Sequence, residues 1–297
     1  MLKGYIINME ELLKVNSIQK VCFHDGPGIS TTIFLNGCPL KCPWCANPET
    51  SSLVKQYVVN KECKMLNNKC QYKVDCIGKN SSLKCLEENY KKCPIKAIEK
   101  IYGLYTISEL EKIILEDEFL YENDGGVTFS GGEPLVQSKS LAILMKRLKE
   151  KKINIAIESC MHVKKSFLED VVDYIDLFII DIKILNSEKV LDILKGKLKL
   201  FLDNIQYIFS KNKKAIFRIP LIKPYITNEE NLRNIYEFLE KYKPNKVEIF
   251  KGHNLAKEKY NKLELNYEDV ETISDEEINT IKEKIEQLGI QTDIIKF

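Results

Sequence analysis

The stretch Gly37-Cys38-Pro39-Leu40-Lys41-Cys42-Pro43-Trp44-Cys45-Ala46-Asn47-Pro48-Glu49 carries three cysteines in the spacing C-x3-C-x2-C, and no fourth follows at ligand spacing. A cubane iron–sulfur cluster has four irons, and a closed electron-transfer site takes four thiolates. Three thiolates on one tight loop leave one iron open to an outside ligand, by the logic that separates open catalytic zinc sites from closed structural ones. Pro39 and Pro43 follow the first two cysteines, restrict the loop and each remove an N–H donor. The other readings are a zinc knuckle or three unrelated thiols. They rank below the cluster because the spacing fits no common zinc pattern.

Upstream of this loop, Ile33-Phe34-Leu35 predicts a short strand that delivers the chain into it. Residues 1–20 read as a lead-in, helical or irregular over 9–15. Downstream, from residue 101, strand and helix patterns alternate. Ser108-Glu109-Leu110-Glu111 reads as a capping box opening a helix to 117. Strands are predicted at 126–129, 153–157, 177–182, 215–221 and 247–250. Helices are predicted at 141–148, 167–172, 198–209 and, capped by Thr227 with Glu230 following, up to 241. A loop then leads to a Ser274/Glu277 capping box, a last helix and a terminal strand at 291–295. Near-continuous apolar runs such as 177–182 suit strands covered on both faces. Six strand–helix units predict an α/β fold, a parallel (β/α)6 sheet curled into a partial barrel.

Composition narrows the classes. The 297 residues are 44% hydrophobic and 30% charged with a net charge of +2, which suits a globular protein and leaves no basic footprint for nucleic acid. Of the basic residues 42 are Lys and only Arg147, Arg218 and Arg233 are Arg, a bias that follows an AT-rich genome rather than a function. No signal-peptide pattern and no bilayer-spanning apolar run are present, so the expectation is a cytoplasmic protein without membrane contact. Ten cysteines without an export signal then argue for metal ligation rather than disulfides. An exposed open cluster is oxygen-sensitive, which points to an anaerobe.

Residues 51–100 differ from the rest. Cys63, Cys70, Cys76, Cys85 and Cys93 fall among Lys and Asn with little apolar periodicity. Such a segment buries little core and is ordered best around a metal. The predicted division is therefore a barrel of residues 1–50 and 101–297 and a cysteine-rich insert of residues 51–100.

Unusual polar groups fall just past the carboxyl ends of the predicted strands. The cysteine loop follows Leu35, Ser130-Gly131-Gly132-Glu133 follows Phe129, and Glu158-Ser159 follows Ile157. Asp181 and Lys183 close the strand at 177–182, and His253 follows Phe250. In barrel folds that face carries the active site.

The run Phe23-His24-Asp25-Gly26-Pro27-Gly28-Ile29-Ser30 leading to Cys38 is similar to the entry into the cluster loop of the radical S-adenosylmethionine (SAM) enzymes that activate glycyl radical enzymes. The likeness continues through Ser130-Gly131-Gly132-Glu133-Pro134, Asp181-Ile182-Lys183 and His253-Asn254-Leu255. The cysteine spacing alone marks the superfamily, and the His-Asp-Gly-Pro-Gly run narrows it to activators. The resemblance implies a radical SAM barrel with a [4Fe-4S] cluster on Cys38, Cys42 and Cys45. SAM chelates the open iron there and is split reductively to methionine and a 5′-deoxyadenosyl radical, which takes hydrogen from a backbone glycine of a partner, a glycyl radical enzyme. It also implies flavodoxin or ferredoxin as electron donor, and the reading expects a monomer.

The resemblance assigns cofactor contacts to Trp44, Cys45, Ala46, Gly131, Gly132, Glu133, Glu158, Ser159, Asp181, Ile182, Lys183, Arg218 and His253. Gly131-Gly132 on its own reads as a tight turn, and in the family meets the amino group of SAM. Lys183 offers an ammonium to the methionine carboxylate; alone it is one lysine among many. Glu158, Ser159 and Asp181 match a polar site beside SAM that holds a monovalent cation, or else are hydrogen-bonded structural acids. Cys22 and Cys160 read as small buried hydrophobes. Cys93-Pro94-Ile95 looks like the end of a ferredoxin motif, but the expected ligand positions hold Asn89, Leu86 and Leu83. One auxiliary [4Fe-4S] cluster, a zinc ion or a metal-free degenerate insert all stay open. Ser30 in place of Arg, and Lys223-Pro224-Tyr225 in place of Pro-Gly, depart from the family pattern. The alternatives are a radical SAM enzyme acting on a small molecule and a non-catalytic iron–sulfur carrier. The missing fourth thiolate argues against the carrier.

Overall fold

In the computed structural model, residues 12–23, 25–53, 57–59, 90–91, 93, 98–121 and 124–296 are described. Strands β1 (Leu12–Cys22) and β2 (Ser30–Leu35) pair antiparallel. Strands β3 (Tyr57–Val59) and β4 (Ile98–Lys100) form a separate two-stranded sheet, and β5 (Gly103–Thr106) returns to the outer edge of β1. The chain then alternates through α1 (Ile107–Leu115), β6 (Gly126–Gly131), α2 (Ser138–Glu150), β7 (Asn154–Ser159), α3 (Lys165–Glu169) and β8 (Leu177–Asp181). It continues with α4 (Ser187–Leu194), α5 (Leu198–Ser210), β9 (Lys214–Lys223), α6 (Glu229–Tyr242), β10 (Lys246–Lys251), α7 (Lys257–Leu263), β11 (Glu271–Thr272), α8 (Asp275–Glu286) and β12 (Gln291–Ile294).

Strands β2, β6, β7, β8, β9, β10 and β12 lie side by side in that order, all parallel. Each new strand is laid beside the last, with a helical crossover between, as right-handed winding requires. Among the described residues β5 and β12 do not pair, so the sheet stays open, in line with the partial barrel expected.

Strand side chains alternate between two faces. Val127, Phe129, Ile155, Ile157, Phe178, Ile180, Phe217, Ile219, Val247 and Ile249 are buried in one core with Leu141, Leu144 and Ile205 from the helices. Each such side chain contributes about 1.5–3 kcal/mol. The alternate positions hold Ser30, Thr32, Thr128, Ser130, Glu158, Asp181, Arg218 and Glu248. This outer apolar layer frees the inner face of the curled sheet to be polar.

Several elements differ from the sequence reading. Residues 12–22 are a strand, not a helix: Leu13 and Val15 are buried while Leu12, Lys14 and Asn16 are not, a period of two. The α1 capping box is Thr106 with Glu109, two residues before the expected cap. Asn228, not Thr227, caps α6 by accepting from the Asn231 N–H. The Ser274/Glu277 box at α8 forms as read. Helix α7 occupies what was read as loop, and α4 was not anticipated. Cys22 is half-buried rather than a core residue, and its Sγ donates to the Gln19 carbonyl at 3.6 Å. Of the insert cysteines, Cys63, Cys70, Cys76 and Cys85 lie outside the described residues, as does His24.

Candidate functional site

The cysteine loop leaves β2 and is tied down along its whole length. Gly37 N–H donates to Thr50 O at 2.7 Å, Lys41 N–H to Leu194 O at 2.9 Å, and Cys45 N–H to Cys42 O at 3.2 Å. From α7, the Tyr260 hydroxyl donates to Pro43 O at 3.1 Å, and Lys259 Nζ reaches Asn47 Oδ1 at 2.8 Å and Glu49 Oε1 at 2.7 Å. Gly131 has φ +103°, and a Cβ there would sit 2.6 Å from Leu35 N and O. Gly132 packs as closely on Gly37 O, and its N–H bonds Leu35 O at 2.8 Å. The glycine pair therefore permits a close approach of two backbones, seating the root of the cysteine loop on the end of β6.

Between this loop and the carboxyl ends of the strands lies a cavity of about 420 Å³. Cys38, Cys42, Cys45, Trp44 and Ala46 line it from the loop. Gly131, Gly132, Glu158, Ser159, Asp181, Lys183 and His253 line it from the sheet. Glu133, Ile182 and Arg218, expected as cofactor contacts, are not part of that lining. Glu133 is fully buried and accepts from Ser159 Oγ, Cys160 N–H at 2.8 Å and Leu135 N–H. Arg218 lies under the cavity, pairing with Glu158 and, through Nε at 2.7 Å, with Glu248.

Two ion pairs organise the charge. Lys183 Nζ sits 2.9 Å from Asp181 Oδ2. Burial pulls its pKa down, but the pairing with Asp181 leads the effects that leave it raised overall, so the ammonium stays charged. Glu158 accepts from Ser130 and Arg218, yet burial still pushes it up to about 7. His253 Nδ1 is buried with no partner among the described residues. Trp44 lies against Tyr225 with centroids 4.9 Å apart, so the Lys223-Pro224-Tyr225 departure brings an aromatic ring onto the cysteine loop. Ser30, the other departure, is buried with its hydroxyl near the Cys22 and Asp25 carbonyls.

These residues fit an iron–sulfur cluster better than a lone ion. Among the described residues no three His, Cys, Asp or Glu side chains converge on one metal ion. A polynuclear cluster takes its thiolates on separate irons, so three cysteines spread along one cavity wall suit it. Burial pushes Cys42 up to about 12 and Cys45 up to about 11, so ligation by either releases a proton. Cys38 moves the other way, lowered chiefly by a hydrogen bond from the Cys160 thiol. The unpartnered His253 Nδ1 is the kind of buried atom a bound ligand satisfies.

Sequence reasoning missed Tyr260 and the Pro220, Ile222 and Phe250 wall of the cavity. Pro220 and Ile222 share the strand parity of Arg218, which was the available signal. Tyr260 carried none.

A profile of the family described as a 4Fe-4S single cluster domain matches residues 24–197. The trans-4-hydroxy-L-proline dehydratase activating enzyme of Clostridioides difficile is 33% identical over 94% of this chain and 98% of its own. The 4-hydroxyphenylacetate decarboxylase activating enzyme of Clostridium scatologenes is 32% identical over 88% of this chain and 89% of its own. Among solved structures, a radical SAM methyltransferase from Sphaerobacter thermophilus matches with a TM-score of 0.51 at 10% identity. It covers 90% of this chain and 66% of that one, a likeness of fold alone.

Proposed function

The chain belongs to the radical SAM family of glycyl-radical-enzyme activating enzymes, and from that membership we propose that the cavity under the cysteine loop is where the activation takes place. The observation that carries this reading is convergence: three cysteines of one loop share a cavity with polar groups from the ends of β6, β7, β8 and β10. The chemistry supplied when a [4Fe-4S] cluster and SAM are bound is reductive cleavage to methionine and a 5′-deoxyadenosyl radical, which abstracts hydrogen from a backbone glycine of the partner enzyme.

The chain's own residues do the holding. Cys38, Cys42 and Cys45 would hold the cluster through their thiolates. The Lys183 ammonium, kept charged by Asp181, is set to meet the methionine carboxylate. Glu158, Ser130 and Arg218 form a hydrogen-bonded floor, and Pro220, Ile222, Phe250 and Leu265 keep water from the reacting atoms. A monovalent cation beside Glu158 and Asp181 is supported by the family resemblance, with both acids already paired to Arg218 and Lys183. An auxiliary [4Fe-4S] cluster in the insert, a flavodoxin or ferredoxin donor and a monomeric, cytoplasmic protein complete the reading. The ten cysteines favour a reducing compartment. The two relatives activate a dehydratase and a decarboxylase at nearly equal identity, so the choice of partner is not carried by the shared core.

Anaerobically reconstituted protein is expected to cleave SAM on reduction and to raise a glycyl radical signal in its partner. Cys38→Ala, Cys42→Ala and Cys45→Ala are each expected to abolish cleavage. Methionine released at the wild-type rate by any of the three would remove the cavity from the mechanism.

A further inference from the structure

The polar groups beneath the cavity continue across the sheet, beyond the residues that line it. Arg218 of β9 has Asp181 of β8 as its register partner on one side and Glu248 of β10 on the other. Glu158 stands one strand further, on β7, so the Arg218 guanidinium reaches past β8 to pair with it. Glu158 lines the cavity, whereas neither Arg218 nor Glu248 is part of that lining. Glu248 is only 8% exposed, and a carboxylate so deep is costly unless it is fully partnered. Its Oε2 accepts from Arg218 Nε at 2.7 Å and its Oε1 from Lys246 Nζ at 2.9 Å. Lys246 Nζ lies in turn 3.0 Å from Asp293 Oδ2 on β12.

We propose that Glu248 is a positioning residue for SAM binding: by fixing the Nε side of Arg218 it aims the guanidinium past β8 and holds the Glu158 carboxylate in place at the cavity. The inference rests on the reading of the cavity as the SAM site. Glu158 accepts from Ser130 and Arg218, which leaves it turned to a ligand's hydroxyl or ammonium groups with its own orientation settled.

Charge balance alone does not require the bond between Glu248 and Arg218. Lys246 already stands beside Glu248, and Glu158 already stands beside Arg218. What the second carboxylate adds is direction. A guanidinium is a planar fork on a long flexible stem, and partners on its Nε and on Nη1 fix both its plane and its reach. Asp181, the register partner on β8, is the competing acid and lies on the nearer strand. Without Glu248 the fork is free to turn toward Asp181, and Glu158 keeps Ser130 as its remaining partner of the two. Burial would raise the Glu248 pKa, but Arg218 first and then Lys246 outweigh it and leave it lowered, so the anchor stays a carboxylate.

The test is SAM binding by anaerobic equilibrium dialysis, without reductant, to the cluster-loaded wild type, Glu248→Gln, Glu158→Gln and the double variant, with iron counted in each. At equal iron, Glu248→Gln is expected to bind SAM about fivefold more weakly and Glu158→Gln at least as weakly. The double variant is expected to bind no more weakly than Glu158→Gln, because Glu248 acts through Glu158. Wild-type affinity in either single variant overturns the proposal. Losses that multiply in the double variant also overturn it, because Glu248 then acts independently of Glu158. Should Glu248→Gln fail to fold or to load iron, Arg218→Lys answers the same question. Its ammonium keeps the charge but lacks the fork that holds two carboxylates, so an equal loss of affinity is expected and wild-type affinity overturns the proposal. A wild type that loads iron but binds no SAM defeats the cavity reading itself, and is told apart by that.

Discussion

His162 stacks on Phe201 at 5.6 Å, and its Nδ1 has no partner among the described residues. Burial, with the Lys183 ammonium adding to it, pushes its pKa down from 6.5 to about 4. The folded state therefore binds fewer protons than the unfolded chain between those values, and stability falls as pH drops through that window. From about pH 7.5 to about pH 5.7 the wild type is expected to lose roughly 1 kcal/mol more than His162→Phe. Denaturant unfolding of both proteins at the two pH values measures it, and parallel losses would sink the assignment. At this scale Cys38, Cys42 and Cys45 stood out in the sequence because their spacing lies within one loop, and the structure brings all three to the cavity. Cys160 read only as a small hydrophobe, since the cavity it shares with Cys38 is built from residues distant in the chain.

Helix α7 is only seven residues long and carries two apolar side chains, Tyr260 and Leu263, too few for a helical pattern to stand out from a loop. Its work is tertiary. Lys259 and Tyr260 hold residues 43–49 of the cysteine loop, while Leu263 packs against Val58, Ile101 and Tyr102 beside the two-stranded sheet. The helix thus couples the base of the insert to the cluster loop. Removing its bonds in Lys259→Met/Tyr260→Phe is expected to loosen the loop by about 1–2 kcal/mol. Iron release from the loaded double variant to a chelator should be several-fold faster than from wild type. An unchanged release rate would show that β2 and Thr50 suffice to hold the loop.

Across the whole molecule, the described residues that line the cavity fall within 38–51 and 130–266. Ser51 is among them, and Leu53 packs on Gly37, so the barrel's contacts run slightly past the expected boundary at residue 50. A variant with Cys63, Cys70, Cys76, Cys85 and Cys93 all changed to Ser is expected to cleave SAM still when dithionite is the reductant. Activation of the partner with a protein donor should fall much further. Iron falling to about half assigns an auxiliary cubane to the insert, and unchanged iron shows that the insert holds none. Loss of dithionite-driven cleavage in a folded variant would show that the insert is part of the active site.

By itself the sequence determined the parallel α/β class, because apolar strand runs such as residues 177–182 alternate with amphipathic helices, and strands joined by helical crossovers lie parallel. It also determined the C-x3-C-x2-C loop, whose three cysteines lie within eight consecutive residues and need no distant partner to be recognised. Only the tertiary structure decided what meets that loop. Tyr260 reaches Pro43 across 217 residues, Lys259 reaches Glu49 across 210, and Cys160, just past the end of β7, comes to line the same cavity as Cys38. Such contacts depend on strand register and on how one element packs over another, and neither leaves a periodic trace in the residues that make them.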